Sequence, residues 1–229
     1  MVLCGKLGDD GSVGEKDRKR PAGPVREAEF QHSIRNNLQI VGSLLQLRAA
    51  RADAGTRRAI SDLQLRVRAL AIVYGHFVQA VRAVNAAPCI AELVSETFRA
   101  HGRHGGRIVS AVSVGDRMVA LEQALPSGLI VVELVSNCLR HAFPNDQRGR
   151  IEVTLSFPDE RAVLVVADDG VSLPAGFDIS DADGFGFTVV KALVQQLRGR
   201  LQIQTGRGTE LRIEYPCPPP TPSDPDDAS

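Results

Sequence analysis

His32 stands in the run Glu29-Phe-Gln-His32-Ser-Ile-Arg35-Asn36-Asn37, within a stretch whose apolar residues recur every three or four positions. On a helix, Glu29 lies one turn before His32 and Asn36 one turn after it, at the spacings that bring side chains together. A carboxylate so placed holds one ring N–H of the imidazole and leaves the other nitrogen as a nucleophile. Far downstream, Glu133-Leu-Val-Ser-Asn137-Cys-Leu-Arg140-His141-Ala sets Glu, Asn, Arg and His on one helical face by three- and four-residue steps. Asn and Glu offer oxygen to Mg²⁺, which normally arrives with nucleotide phosphates, and Arg140 suits phosphate oxygens.

Three shorter motifs follow. Asp168-Asp-Gly170 closes an alternating strand, where a carboxylate accepts from an adenine exocyclic amine and glycine lets the backbone come close. Gly184-Phe-Gly186 opens a helix whose first N–H groups suit phosphate. Gly208-Thr209 begins the last strand, where a hydroxyl reaches the base or its bound water. Singly, each has a plain alternative: an exposed helical histidine that does nothing, a solvated polar face, an ordinary Asp-Gly turn or hairpin.

The elements that must carry these residues are legible from periodicity. Phe30, Ile34, Leu38, Val41, Leu44 and Leu45 predict an amphipathic helix from Glu27 to about Arg51. At 100° per residue its stripe centres near Phe30 and Val41, about 180° from His32, which predicts a solvated imidazole. After the break at Ala52 to Thr56, Ile60, Leu63, Val67, Leu70, Tyr74, Phe77 and Val81 predict a second, antiparallel helix running until Asn85 and Pro88. Two helices cannot enclose both apolar faces, so a second copy completing a four-helix bundle is expected; the alternative is packing on the chain's own C-terminal part. Beyond Pro88 the pattern predicts a helix near Ile90 to Ala100, a strand near Arg107 to Val114 and a long helix from Leu121 to Ala142. Strands follow at Ile151 to Phe157 and Ala162 to Ala167, then a helix Phe187 to Leu197 and strands Leu201 to Thr205 and Glu210 to Tyr215. The fold class is α+β: a helical hairpin, then an open sheet with helices on one face, an α/β sandwich. The expected organisation is an arm at 1–24, a dimerisation hairpin at 25–85, a catalytic domain at 86–216 and a Pro/Asp-rich tail at 217–229.

With 27 basic and 27 acidic residues among 229, no global field gathers nucleic acid or an anionic membrane. Cys4, Cys89, Cys138 and Cys217 lie far apart and read as reduced thiols. The sequence shows neither a secretion signal nor an apolar run near the ~20 residues of a membrane span, so a cytoplasmic protein without membrane insertion is expected.

The segment Glu29 to Asn37 resembles the H-box of two-component sensor histidine kinases, specifically the HisKA_2 and related HWE subfamilies. Arg35, Asn36 and Asn37 fit that pattern, Ser33 replaces the usual Arg, and the absence of Trp makes HisKA_2 the closer likeness. The order of Asn helix, Asp-x-Gly strand end, Gly-x-Gly helix start and Gly-Thr strand resembles the N, G1, G2 and G3 boxes of GHKL (Bergerat) ATPases. The resemblance spans about residues 27 to 215. It implies an ATP-dependent protein-histidine kinase that phosphorylates His32 and passes the group to an aspartate on a response-regulator receiver domain. It further implies Asn137 as Mg²⁺ ligand, Glu133 and Arg140 at metal and phosphates, Asp168 at adenine, Gly170, Gly184 and Gly186 along the lid from Leu173 to Asp183, and Thr209 supporting the base. Ser172, where Gly is usual, and Phe185 and Phe187, where Leu is usual, depart from the pattern; Ser172 would strain the lid if its φ had to be positive. An arginine excess on the two helices (Arg35, Arg48, Arg51, Arg57, Arg58, Arg66, Arg68) is offered to an acidic receiver. The alternatives are a degenerate kinase acting as a histidine phosphotransfer protein and a GHKL anti-sigma factor. Input is expected from a separate sensor protein, an unseen ligand or a further portion of chain.

Overall fold

The computed structural model describes residues 24–78, 81–102, 107–174, 177 and 185–220, with backbone only at 24–32, 35, 146 and 185. The side chains of Glu29, His32 and Phe185, Gly184 as a whole, the arm and most of the lid segment lie outside the described residues.

Helices α1 (Pro24–Ala49) and α2 (Ala54–Gly75) form the hairpin. Asp53 caps α2 by accepting from the Thr56 amide at 2.9 Å, and Arg57 donates to the carbonyls of Ala49 (3.4 Å) and Ala52 (3.0 Å), closing the end of α1. The apolar stripe of α1 divides in two. Ile34, Leu38 and Leu45 are half-buried, whereas Ile40, Leu44 and Leu47 stay 59%, 58% and 69% exposed. On α2, Leu65, Ala69 and Val73 are buried in the core that α3 and α4 share. One face of the hairpin thus packs on the chain's own C-terminal part, and the outer face of α1 remains uncovered.

The second helix stops at Gly75, short of the predicted end, with the His76 amide donating to Ile72 O at 3.2 Å. Tyr74, Phe77 and Val81 imitate helical spacing, but Phe77 is buried opposite Val84 in a strand pair. Strands β1 (Phe77–Val78), β2 (Ala83–Asn85) and β4 (Met118–Ala120) make a small three-stranded sheet. Helix α3 (Ala86–His101) starts earlier than predicted because Asn85 caps it, accepting from Ala87 N at 3.3 Å. Pro88 falls in its first turn, where no intrahelical N–H is required.

Helix α4 (Leu121–Asn137) passes into a π-helical turn at Cys138–Ala142, where a single α-helix was predicted. Across the wider turn Glu133 and Arg140 both face α2, meeting Arg66 and Asp62. Strands β3 (Ile108–Val114), β5 (Gly149–Ser156), β6 (Arg161–Asp168), β7 (Arg200–Gly206) and β8 (Gly208–Pro216) form a five-stranded sheet in the order β3-β5-β6-β8-β7. The β3–β5 pair is parallel and the rest antiparallel, so the sheet is mixed. Helix α5 (Phe185–Gln196) connects β6 to β7. Ile151, Val153, Leu164, Val166, Leu211 and Ile213 meet Ile130, Val131 and Leu134 of α4 and Val190 of α5 in one core. Tyr215 is fully buried, and its hydroxyl hydrogen-bonds Ser127 Oγ at 2.7 Å, fixing β8 to α4.

Tyr215→Phe keeps the ring and removes this bond, while Ser127 still donates to Gln123 O. The expected cost is about 1 kcal/mol, seen as a lower urea midpoint with an unchanged m-value.

Candidate functional site

The site gathers where α4 runs into its π turn. Helix α4 is sandwiched by the sheet, α2, α3 and α5, so its middle residues are apolar nearly all round. Glu133 interrupts that run and is only 5% exposed. Arg66 of α2 meets it with a two-pronged ion pair, Nε to Oε1 at 2.5 Å and Nη2 to Oε2 at 3.1 Å. A second pair, Arg140 with Asp62, lies one turn further along α2.

One turn after Glu133, the Asn137 amide nitrogen is buried without a hydrogen-bond partner among the described residues. Gly186, in the first turn of α5, closes over this place. A Cβ there would lie 3.1 Å from Glu133 Oε2 and 3.4 Å from Asn137 Oδ1, so a side chain would fill the space above the amide. An unspent amide beside a carboxylate and a helix start fits a phosphate-bound divalent cation, with Asn137 Oδ1 as ligand and Nδ2 donating to a phosphate oxygen.

At the other side of the π turn, β6 ends on Asp168, 8% exposed. Its Oδ1 accepts from the Gly170 amide at 3.0 Å, and the Cys138 thiol donates to the same carboxylate. Burial pushes the Asp168 carboxyl above its ordinary value, against the opposing pull of the Gly170 amide, the Cys138 thiol and the Thr209 amide. Burial, and then the carboxylate beside it, likewise pushes the Cys138 thiol far up, leaving an inert thiol. Gly170 passes so close to the π turn that a Cβ would come 2.2 Å from Ala142 O, the carbonyl that accepts from Val171 N at 2.8 Å. Thr209 pairs across from Asp168 in the β6–β8 ladder, and its hydroxyl accepts from Leu173 N at 3.2 Å.

Ser172 is not among the residues at positive φ, so the strain that its place in a glycine motif suggested does not arise. Its hydroxyl instead lies 2.7 Å from Gly206 O and 2.6 Å from Gly208 O, tying the start of the lid segment to the β7–β8 turn. Phe187 packs on the core and tilts against Phe177, with ring centroids 5.6 Å apart. Two of the three departures thus make contacts of their own, Ser172 with the β7–β8 turn and Phe187 with Phe177.

Of the residues singled out in sequence, Glu133, Asn137 and Gly186 come together, and Asp168, Gly170 and Thr209 assemble next to them. Arg140 points to Asp62 rather than toward Asn137. Asn36 is exposed on α1. Arg66 and Asp62 were missed as site residues, though a signal existed: opposite charges four residues apart, flanking the apolar stripe of Leu65 and Ala69. Three of the seven arginines of the excess are engaged within the chain, Arg57 with carbonyls, Arg66 with Glu133 and Arg68 with Glu96 at 2.7 Å.

By fold, this is a helical hairpin joined to an α/β ATPase domain with a mixed sheet. Residues 29–101 match the HisKA_2 histidine kinase family, and residues 123–219 match the histidine kinase-, DNA gyrase B- and HSP90-like ATPase family. The chain is 28% identical over 221 residues to sensor histidine kinase PdtaS of Mycobacterium tuberculosis, covering 89% of this chain and 42% of that protein. It is 28% identical over 204 residues to blue-light-activated histidine kinase 2 of Erythrobacter litoralis, covering 82% of this chain and 56% of that protein. The solved histidine kinase domain of Erythrobacter litoralis EL346 superposes with a TM-score of 0.62 at 26% identity, over 84% of this chain and 91% of that domain. The chain belongs to the sensor histidine kinases, with a HisKA_2 segment followed by a GHKL-type ATPase domain. It spans about half the length of the curated relatives it matches.

The raised Asp168 carboxyl gives a test in the absence of ligand. Because the folded value lies above the unfolded one, Asp168 favours the fold at low pH, and that contribution disappears as pH rises through the raised value. Asp168→Asn is expected to raise the thermal midpoint at neutral pH and to leave it unchanged below about pH 4. Unfolding scans across a pH series read both.

Proposed function

We propose that the protein is a Mg·ATP-dependent kinase that phosphorylates its own His32 and passes the phosphoryl group to an aspartate of a response-regulator receiver. The observation that carries this reading is the unpartnered Asn137 amide beneath Gly186, next to a buried carboxylate and one turn from the Asp168 cluster. Mg·ATP supplies the transferable γ-phosphoryl group and the metal that neutralises its oxygens. On this reading Asp168 accepts from the adenine amine, with Cys138 and the Gly170 amide holding the carboxylate in place, and Thr209 supports the base. Asn137 ligates the metal, Glu133 and Arg140 act at metal and phosphates, and Gly170, Gly184 and Gly186 let backbone approach the nucleotide. Glu29 and Asn36 orient the His32 ring so that one nitrogen attacks. Positioning and charge neutralisation do the catalytic work, since phosphoryl transfer asks little covalent help of a protein.

The domain division belongs to the same proposal: a hairpin at 25–85 for dimerisation and phosphotransfer, and a catalytic domain at 86–216. The row Ile40, Leu44 and Leu47, exposed at helical spacing, supports a homodimer in which a second hairpin covers α1. Among the described residues no helix is long and apolar enough to cross a membrane. We assign a cytoplasmic location, with input from a separate sensor protein or from a further part of a longer chain.

Incubation with γ-labelled Mg·ATP is expected to give an acid-labile, base-stable label that is lost in His32→Gln and in Asn137→Ala. Label that survives His32→Gln would point instead to a nucleotide domain acting on another acceptor. Paired substitution Leu44→Glu and Leu47→Glu is expected to convert the dimer to a monomer in analytical ultracentrifugation.

A further inference from the structure

Resting on that reading, the structure assigns a second task to α2: Arg66, with Asp62, is an internal competitor of the nucleotide. Arg66 fills both oxygens of Glu133 with its guanidinium fork, and Asp62 takes Arg140. Both partners on the ATPase side are residues that the nucleotide's metal and phosphates require. A carboxylate bridged by a guanidinium has less charge to offer a metal, and an arginine paired with a carboxylate has less to offer phosphate. The hairpin in this docked position and Mg·ATP therefore draw on the same two side chains.

The docked position also stands off from the phosphoacceptor. Gln64 Nε2 donates to Gly42 O at 3.3 Å, which fixes the register of the hairpin. In that register Arg66 and Asp62 lie level with about residues 40 and 44 of α1. His32 is then about 12–18 Å further along the hairpin, at 1.5 Å per residue. The ion pairs thus hold the nucleotide helix beside the hairpin's middle rather than beside the histidine.

The contact is built to part at one end. Towards the base of α2, Val73 packs in the core close to Leu93 and Gly128, where a Cβ on Gly128 would lie 3.0 Å from both side chains. The charged rungs sit towards the tip, with Asp62 about a quarter exposed. A hinge about the Val73 end releases Glu133 and Arg140 by parting Leu65 from the core while Val73 stays packed. Loading of nucleotide and release of the hairpin are then coupled, and the coupling is reciprocal: whatever weakens the clasp tightens nucleotide binding by the same factor.

The test uses the whole chain, a fluorescent Mg·ATP analogue and the variants Arg66→Met and Asp62→Asn. Neither residue has a part in the proposed nucleotide site. Roughly fivefold or tighter binding in Arg66→Met, with a smaller gain in Asp62→Asn, is the expected result. A merely structural Arg66 would lower the thermal midpoint and weaken or leave unchanged the affinity, and that outcome overturns the clasp. Spin labels on cysteines introduced at Arg58 and Glu152, with Cys4 replaced by Ser, read the docking directly. The label distance is expected to lengthen in the wild type on adding the analogue and in Arg66→Met without it; an unchanged distance in Arg66→Met overturns the proposal. If none of the three proteins binds the analogue, the kinase reading fails instead, and the Arg66→Met distance still decides whether the clasp governs docking.

Discussion

A carboxylate inside a packed helix sandwich is costly unless a cation meets it. Glu133 sits in α4 between the sheet and three other helices, and water barely reaches it. The cation comes from α2, a separate element, so the requirement to neutralise one side chain dictates how the hairpin docks on the ATPase domain. Leu65, Ala69 and Val73 give that docking its apolar base, but apolar contact tolerates sliding and charge pairs do not. The same carboxylate belongs to the proposed nucleotide site, which makes one buried charge answer to two partners.

The π turn at Cys138–Ala142 does comparable work at the other end of α4. By widening the helix it brings Cys138 under the Asp168 carboxylate and turns the Ala142 carbonyl out to the Val171 amide. It also sends Arg140 toward Asp62. One wider turn thus joins the end of the central strand β6, the residues after it and the hairpin. Such bulges are uncommon in helices and recur at functional sites.

Ser172 and Phe187 illustrate how a departure from a motif can be absorbed. A serine hydroxyl that reaches two carbonyls of the β7–β8 turn replaces conformational freedom with a tether. A phenylalanine in place of a smaller residue finds a second ring, Phe177, to lie against. Both fasten the segment that the family resemblance makes the nucleotide lid.

The main helices and the strands of the large sheet could be read from the chain alone, to within a few residues at most ends, because amphipathic periods of three to four and of two survive wherever one face is buried. The Asn137, Asp168 and Gly170 motifs were legible by their order along the chain, although Gly170 answers to the Ala142 carbonyl and Asp168 to Cys138, contacts that only the fold makes. Tertiary structure alone decided the end of α2, since Phe77 keeps helical spacing yet finds its burial in a strand pair. It alone decided the π turn, which leaves no period in the sequence. It alone chose Arg66 for Glu133, 67 positions away, because a charge pair between separate elements depends on how they dock and not on their spacing along the chain.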